Sequence, residues 1–220
     1  MVADSSEIQL ELINHNKSTI QSTEFKIPLP GKHNAANFSL AFGAAIAFGL
    51  TTTQIESGFK HFVAPPMRSN IKQLSADTTL YNDAYNSSPA SLMAALENLN
   101  SPEWVNKRKI ILLGDMLDLG NESKYWHEKL FPILRQLNNT HLCLFGSAMY
   151  DCYKLLNEDE GRLFHENRNT LYWLSQTEDP AQFLEMVSTV LNNSVILVKG
   201  SRGMLLERFI AELEKRFTSP

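Results

Sequence analysis

Ile71–Leu74, Thr79–Asn82, Lys109–Leu113, His141–Phe145 and Val195–Lys199 are short apolar runs, each closed by a turn residue. Helix-length stretches fall around them, at Pro89–Leu99, Glu122–Leu137, Ala148–Leu156, Pro180–Leu191 and Gly203–Phe217. This alternation constrains the fold more than any other feature. Strands separated by helices are expected to pair in parallel and to bury both faces of one sheet. The second part of the chain therefore reads as an α/β domain, a mostly parallel sheet flanked by helices. Tyr125-Trp126 and Tyr172-Trp173 read as core or helix-face packing, and Phe131, Leu134 and Leu137 as core.

Before Pro65 the pattern differs. Ile8 to Ile27 alternates loosely between apolar and polar residues around Asn14-His15-Asn16-Lys17, as a β-hairpin would, and Pro28, Pro30 and Gly31 end it. Asn34 to Leu50 carries Ala and Phe on nearly every side, which predicts a buried helix. Thr51-Thr52-Thr53 predicts the cap of a second helix through Ile55, Phe59 and Phe62. Ala64-Pro65-Pro66 breaks it, so the domain boundary is expected there, dividing the chain into 1–65 and 66–220.

With 43% hydrophobic and 20% charged residues and a formal charge of −4 over 220 residues, the chain lacks the basic stripe that nucleic-acid binding requires. Cys143 and Cys152 form no CxxC pair, as expected for reduced thiols in the cytosol. "MVADSSEIQLEL" is acidic and has no apolar core, so no signal peptide is expected, and Phe38–Leu50 is too short to span a membrane. The six histidines show no ligand spacing, so no protein-bound metal is expected.

In sheets of this kind ligands gather at the carboxyl ends of the strands. Those ends read "NDAYNSSP", "GDMLDLG", "GSAM" and "KGSRG". Asp83 sits at the first, where a carboxylate can accept hydrogen bonds from ribose hydroxyls. Ser88 is expected to cap the following helix with Pro89 at its first position, leaving Asp83 free for a ligand. Asp115 and Asp118 follow the second, and Lys199, Ser201 and Arg202 follow the last, so opposite charges could line one pocket. Salt bridging or capping accounts equally well for these groups. Arg68, just past the Pro-Pro connector, carries a fork of donors that suits phosphate oxygens. "LPGKHNAANF" begins like a phosphate-binding loop but lacks the further glycines and the hydroxyl of one. Asn34 and Asn37 lie one turn apart and could present donors and acceptors to an adenine edge, or Asn34 could simply cap the helix.

"GKHNAANFSLA", "APPMRSN", "LYNDAYNSSPASLMAALENL", "KIILLGDMLDLGNESKYWH" and "ILVKGSRGMLLERFI" occur in the order found in Mur ligases. From about Ile27 to Phe217 the chain resembles that family, nearest the branch that joins D-alanyl-D-alanine to UDP-N-acetylmuramoyl-tripeptide. The resemblance implies a Rossmann-like C-terminal domain at 66–220, preceded at 1–65 by the last part of a P-loop-type central ATPase domain. It also implies a cytoplasmic amide ligase of peptidoglycan synthesis that uses ATP and Mg2+ and proceeds through an acyl phosphate.

Residue by residue, the resemblance implies that Asn37, with Asn34 nearby, touches adenine. Arg68 would reach the nucleotide phosphates as the one catalytic side chain, and Asp83 would hold ribose. Asn86, Asp115, Lys199 and Arg202 are the candidates for the incoming dipeptide. The sequence departs from the family pattern at Ser87-Ser88, where the motif reads closer to YNANP. It also contains no GTNGKT-like loop and none of the metal-binding residues of the central domain, so the chain is expected to be a fragment that cannot make the bond alone. With its partner sheet mostly absent, the helix at Phe38–Leu50 is expected to expose apolar surface and to drive self-association. The alternatives are a non-catalytic nucleotide- or partner-binding module and a relative of folylpolyglutamate synthase.

Overall fold

The computed structural model describes residues 6–13, 19–27, 32–63, 65–158 and 162–218. They form two compact units, Met1–Pro65 and Pro66–Pro220.

In the first unit β1 (Ser6–Ile13) pairs antiparallel with β2 (Thr19–Ile27), setting Ser6 opposite Ile27. The expected turn at 14–18 and the Pro28–Gly31 stop lie outside the described residues. Helix α1 (Lys32–Ala47) follows, then α2 (Thr52–Phe59). Thr51 caps α2 through a reciprocal pairing with Gln54. Phe25, Phe38 and Phe42 are buried together, and the Phe59 ring meets Phe38 edge-on at 4.6 Å.

The expectation that α1 is buried all round does not hold. Among the described residues of this helix only Phe38 and Phe42, one turn apart, are buried, because a two-stranded ribbon can cover only one stripe of a helix. Leu40 is 75% exposed and Phe48, just past the helix end, 89%. The expected apolar surface is therefore present.

In the second unit, chain order runs β3 (Asn70–Gln73), β4 (Thr79–Asp83), α3 (Pro89–Asn98), β5 (Arg108–Gly114), α4 (Ser123–Glu128), α5 (Phe131–Leu134) and β6 (Thr140–Phe145). It continues through α6 (Met149–Asn157), α7 (Arg162–Glu166), β7 (Thr170–Leu174), α8 (Pro180–Val187), β8 (Ser194–Lys199) and α9 (Glu207–Thr218). The strands form one six-stranded sheet in the order β3-β4-β8-β5-β6-β7, parallel except for β3 against β4. The last strand thus enters the middle of the sheet, between β4 and β5. Leu80, Ile110, Leu112, Phe145, Ile196 and Val198 pack on one side with Phe183 and Val187 of α8 and with Phe209 and Leu213 of α9. Alternate residues such as Tyr81, Ile111, Leu144 and Leu197 turn to the other side and are also buried.

Three elements differ from the sequence expectations. Tyr172 and Trp173 belong to β7, an edge strand whose residues are mostly half-buried, so its apolar content does not distinguish it from helix packing. The helix expected over Glu122–Leu137 breaks into α4 and α5. Pro132 has no N–H for the ladder, and its ring would crowd the carbonyl of Glu128. The last helix starts at Glu207, because Leu205 is left-handed (φ 52°) and ends a short 3-10 turn at Arg202–Met204.

Candidate functional site

Strands β4 and β8 are parallel and in register, so Asp83 and Lys199, their last residues, stand side by side. The Lys199 ammonium donates to Asp83 Oδ2 at 2.5 Å and to the Asn86 carbonyl at 3.0 Å. The Lys199 side chain is 1% exposed and that of Asp83 15%. The other oxygen, Asp83 Oδ1, accepts from the Ser69 backbone N–H at 2.9 Å and from its hydroxyl at 3.3 Å. The expectation of a free carboxylate at Asp83 is therefore corrected. A carboxylate offers about four lone-pair sites, and the three contacts leave one.

These bonds shape the segment that carries Arg68. Met67 and Ser69 flank it with φ of 60° and 51°, a left-handed backbone that costs a non-glycine residue about 1–3 kcal/mol. Asp83 holds Ser69 in place, and Tyr85 N–H donates to the Met67 carbonyl at 3.0 Å. Arg68 is thereby presented with its guanidinium 4.1 Å from the centre of the Tyr85 ring, and it forms no ion pair among the described residues. Arg202 reaches the same connector, donating to Met67 Sδ at 3.4 Å and pairing with Glu207 at 3.1 Å. Arg68, Asp83, Asn86, Lys199 and Arg202 are thus brought into one neighbourhood.

Asp115 takes a different course. It is 2% exposed, and its oxygens accept from Ala148 N–H (3.1 Å) and Met149 N–H (2.8 Å) at the start of α6. No side chain of α6's own N-cap does this, so Asp115 serves as the cap from a neighbouring strand tip. Gly146 makes room for it. At φ +113° a Cβ on Gly146 would lie 2.5 Å from the Asp115 carboxylate. Asp118, also left-handed, is exposed.

Ser201 ties three tips together. Its N–H donates to the Asp115 carbonyl at 3.1 Å and its hydroxyl to the Ser87 carbonyl at 3.3 Å, while the hydroxyl oxygen accepts from Leu117 N–H at 2.8 Å. His127 is fully buried. Its Nδ1 lies 2.7 Å from the Ser123 carbonyl and its Nε2 accepts from Met116 N–H at 3.0 Å, which fits a neutral ring that braces the tip after β5. Ser88 caps α3 with Pro89 in its first turn, as expected, and the Ser87 hydroxyl is buried without a partner.

On α1, Asn37 is exposed and Asn34 half-buried. The helix begins at Lys32, so Asn34 lies inside the first turn and is not the cap. Sequence reading missed Ser69, Tyr85 and His127. Tyr85 could have been noticed as an aromatic at a strand tip; left-handed backbone at Met67 and Ser69 leaves no signal in residue type.

This arrangement can present a stacked guanidinium to an anion and offer one carboxylate lone pair to a hydroxyl beside it. Comparisons with known proteins bear on the family and the fold. A family model described as "Mur ligase, glutamate ligase domain" matches residues 67–202. The UDP-N-acetylmuramoyl-tripeptide--D-alanyl-D-alanine ligase of Escherichia coli (strain K12) is 34% identical over 90% of this chain and 40% of its own length. A crystal structure of MurF from Acinetobacter baumannii superposes with a TM-score of 0.75 at 25% identity, over 97% of this chain and 43% of that one. A MurF ligase from Thermotoga maritima, in complex with ADP, shares the fold with a TM-score of 0.64 at 20% identity, over 96% of this chain and 46% of that one. The chain spans about two fifths of the length of the curated relatives it matches.

Proposed function

Because this chain belongs to the Mur ligase family, we propose that its strand tips are the C-terminal side of an ATP-dependent amide ligase. The intact enzyme would join D-alanyl-D-alanine to UDP-N-acetylmuramoyl-tripeptide in peptidoglycan synthesis, in the cytoplasm. On this reading 1–65 is the end of the central ATP-binding domain and 66–220 the C-terminal domain. The observation that carries the reading is the Met67–Ser69 connector, locked by Asp83 and Tyr85 so that Arg68 stands out with its guanidinium unpaired by any carboxylate among the described residues.

The residues present fit a nucleotide. Arg68 supplies a cation for phosphate oxygens, and Asp83 keeps one acceptor site for a ribose hydroxyl. ATP, when bound, supplies the phosphoryl group that activates the tripeptide carboxylate for attack by the dipeptide amine. Asn37, with Asn34 beside it, is the pair we assign to adenine.

For the dipeptide, Asn86 and Arg202 are exposed, so Arg202 is assigned its carboxylate. Lys199 and Asp115 are buried and engaged, and we give them a positioning role behind the site. Magnesium has no ligand set of three or more His, Cys, Asp or Glu among the described residues, and no step is drawn through it.

The 220 residues contain no P-loop sequence, so this chain by itself is expected to release no phosphate from ATP. Titrating isotope-labelled chain with ADP tests the site. Amide shifts should centre on Arg68, Asp83, Tyr85 and Asn37, and Arg68→Ala should weaken ADP about tenfold, ~1.4 kcal/mol for one charge-assisted contact. Shifts confined to other strand ends, or unchanged affinity in Arg68→Ala, would overturn the assignment.

A further inference from the structure

A second feature lies at the opposite end of the sheet. Lys109 is the second residue of β5 and therefore stands at the amino ends of the strands, far along β5 from Gly114 at the tips. Lys109 is 5% exposed, and its side chain forms no hydrogen bond or ion pair among the described residues. Its neighbour Ile110 faces the core beneath α8 and α9, so Lys109 projects to the other face. There it lines a cleft of about 290 Å³ between α3 and the turn after it, which contribute Leu96, Glu97 and Asn100, and α5 and the turn after it, which contribute Ile133 and Leu137. The stem is covered while the ammonium opens on the cleft, and this partial desolvation holds the Lys109 amine below the ordinary lysine range.

We propose that this cleft is a binding site for a small monocarboxylate with a short apolar tail, its carboxylate on Lys109 and its tail between α3 and α5. Three observations select that class. Leu96, Ile133 and Leu137 give the cleft an apolar strip beside the polar Gln136 and Asn138, and the strip suits a tail. The cleft offers one cation, which balances one charge. Glu97 at its rim repels a dianion, so phosphate is disfavoured. The volume lies at the lower edge of the roughly 300–1,000 Å³ of small-molecule sites, so the ligand is small. The site is separate from the nucleotide reading above, and nothing in it depends on Arg68 or Asp83.

The test titrates the full chain with octanoate, followed by amide shifts and calorimetry. Shifts are expected at Leu96, Glu97, Asn100, Ile133 and Leu137, and none at Arg68 or Tyr85. Lys109→Met should weaken octanoate about tenfold or more, and 1-octanol should bind wild type about tenfold more weakly than octanoate does, each ~1.4 kcal/mol. Ile133→Trp, which keeps the lysine and fills the cleft, should abolish binding. The proposal fails if saturating octanoate leaves those amides unmoved, or if Lys109→Met binds octanoate as well as wild type. It fails equally if inorganic phosphate displaces octanoate at matched concentration.

Discussion

Removing the charge of Asp83 without changing its shape isolates what the buried pair contributes. Asp83→Asn has one oxygen where the carboxylate had two: kept on Ser69, it turns its NH2 toward the Lys199 ammonium, 1% exposed, which is left with only the Asn86 carbonyl as acceptor. Breaking a buried pair in this way costs about 3–5 kcal/mol, because one charge stays buried without compensation. Lys199→Met should cost less, about 2–3 kcal/mol. The carboxylate it strands still has two donors from Ser69 and is 15% exposed. For a unit of this size each kcal/mol shifts the melting temperature by about 2–4 °C, so Asp83→Asn should lower it by about 6–20 °C. All three tryptophans, Trp104, Trp126 and Trp173, lie in Pro66–Pro220, so their fluorescence during urea unfolding reports on this unit. The double variant should cost less than the sum of the two singles, since each single variant already breaks the same contact. If Asp83→Asn costs less than about 1 kcal/mol, the pair behaves as a surface ion pair and the reasoning is refuted. A larger loss in Lys199→Met than in Asp83→Asn would refute it as well.

Ser87→Ala should stabilise the protein by about 0.5–1.5 kcal/mol in the same urea assay, because the Ser87 hydroxyl is buried without a partner. The contribution of Lys109 to stability should rise as pH climbs toward 10.5, read as the difference between wild type and Lys109→Met, because the buried Cys143 and Cys152 thiols, both pushed up, pull total stability the other way in alkali. Lys109 titrates below that value in the folded chain, so between its folded and unfolded values the unfolded state binds more protons. Below the folded value the penalty is complete and constant, so Lys109→Met should be more stable at neutral pH, and its lead over wild type should shrink between the two values. The exposed Leu40 and Phe48 predict concentration-dependent self-association, read by light scattering; Leu40→Glu with Phe48→Glu should leave a monomer.

What could be read from residue order is whatever depends on local pattern. Apolar runs located β4, β5, β6 and β8 to within about a residue of their ends, and Ser88-Pro89 located the start of α3, because strand burial and helix capping are properties of neighbouring residues. Pro132 carried the break between α4 and α5 in plain view, yet the surrounding apolar spacing outweighed it. The edge strand β7 offered no comparable clue, since half-buried aromatics suit a helix face equally well.

The site was legible in its chemistry and not in its pairings. Asp83 and Lys199 lie 116 positions apart, and each taken alone reads as a charge available to a ligand. Only the register of β8 against β4 makes them partners, and that register is set by the whole sheet. The same holds for Asp115, whose role as the cap of α6 depends on β5 and β6 ending level, with Gly146 stripped of a side chain to admit it. Charges at parallel strand tips are therefore divided by register into those that brace the loops and those that face outward. Here the division leaves Arg68, next to Met67 in the chain, and Arg202, whose guanidinium reaches the Met67 sulfur, as exposed cations at these tips, while Lys199 and Asp115 hold the loops from which a ligand would be met.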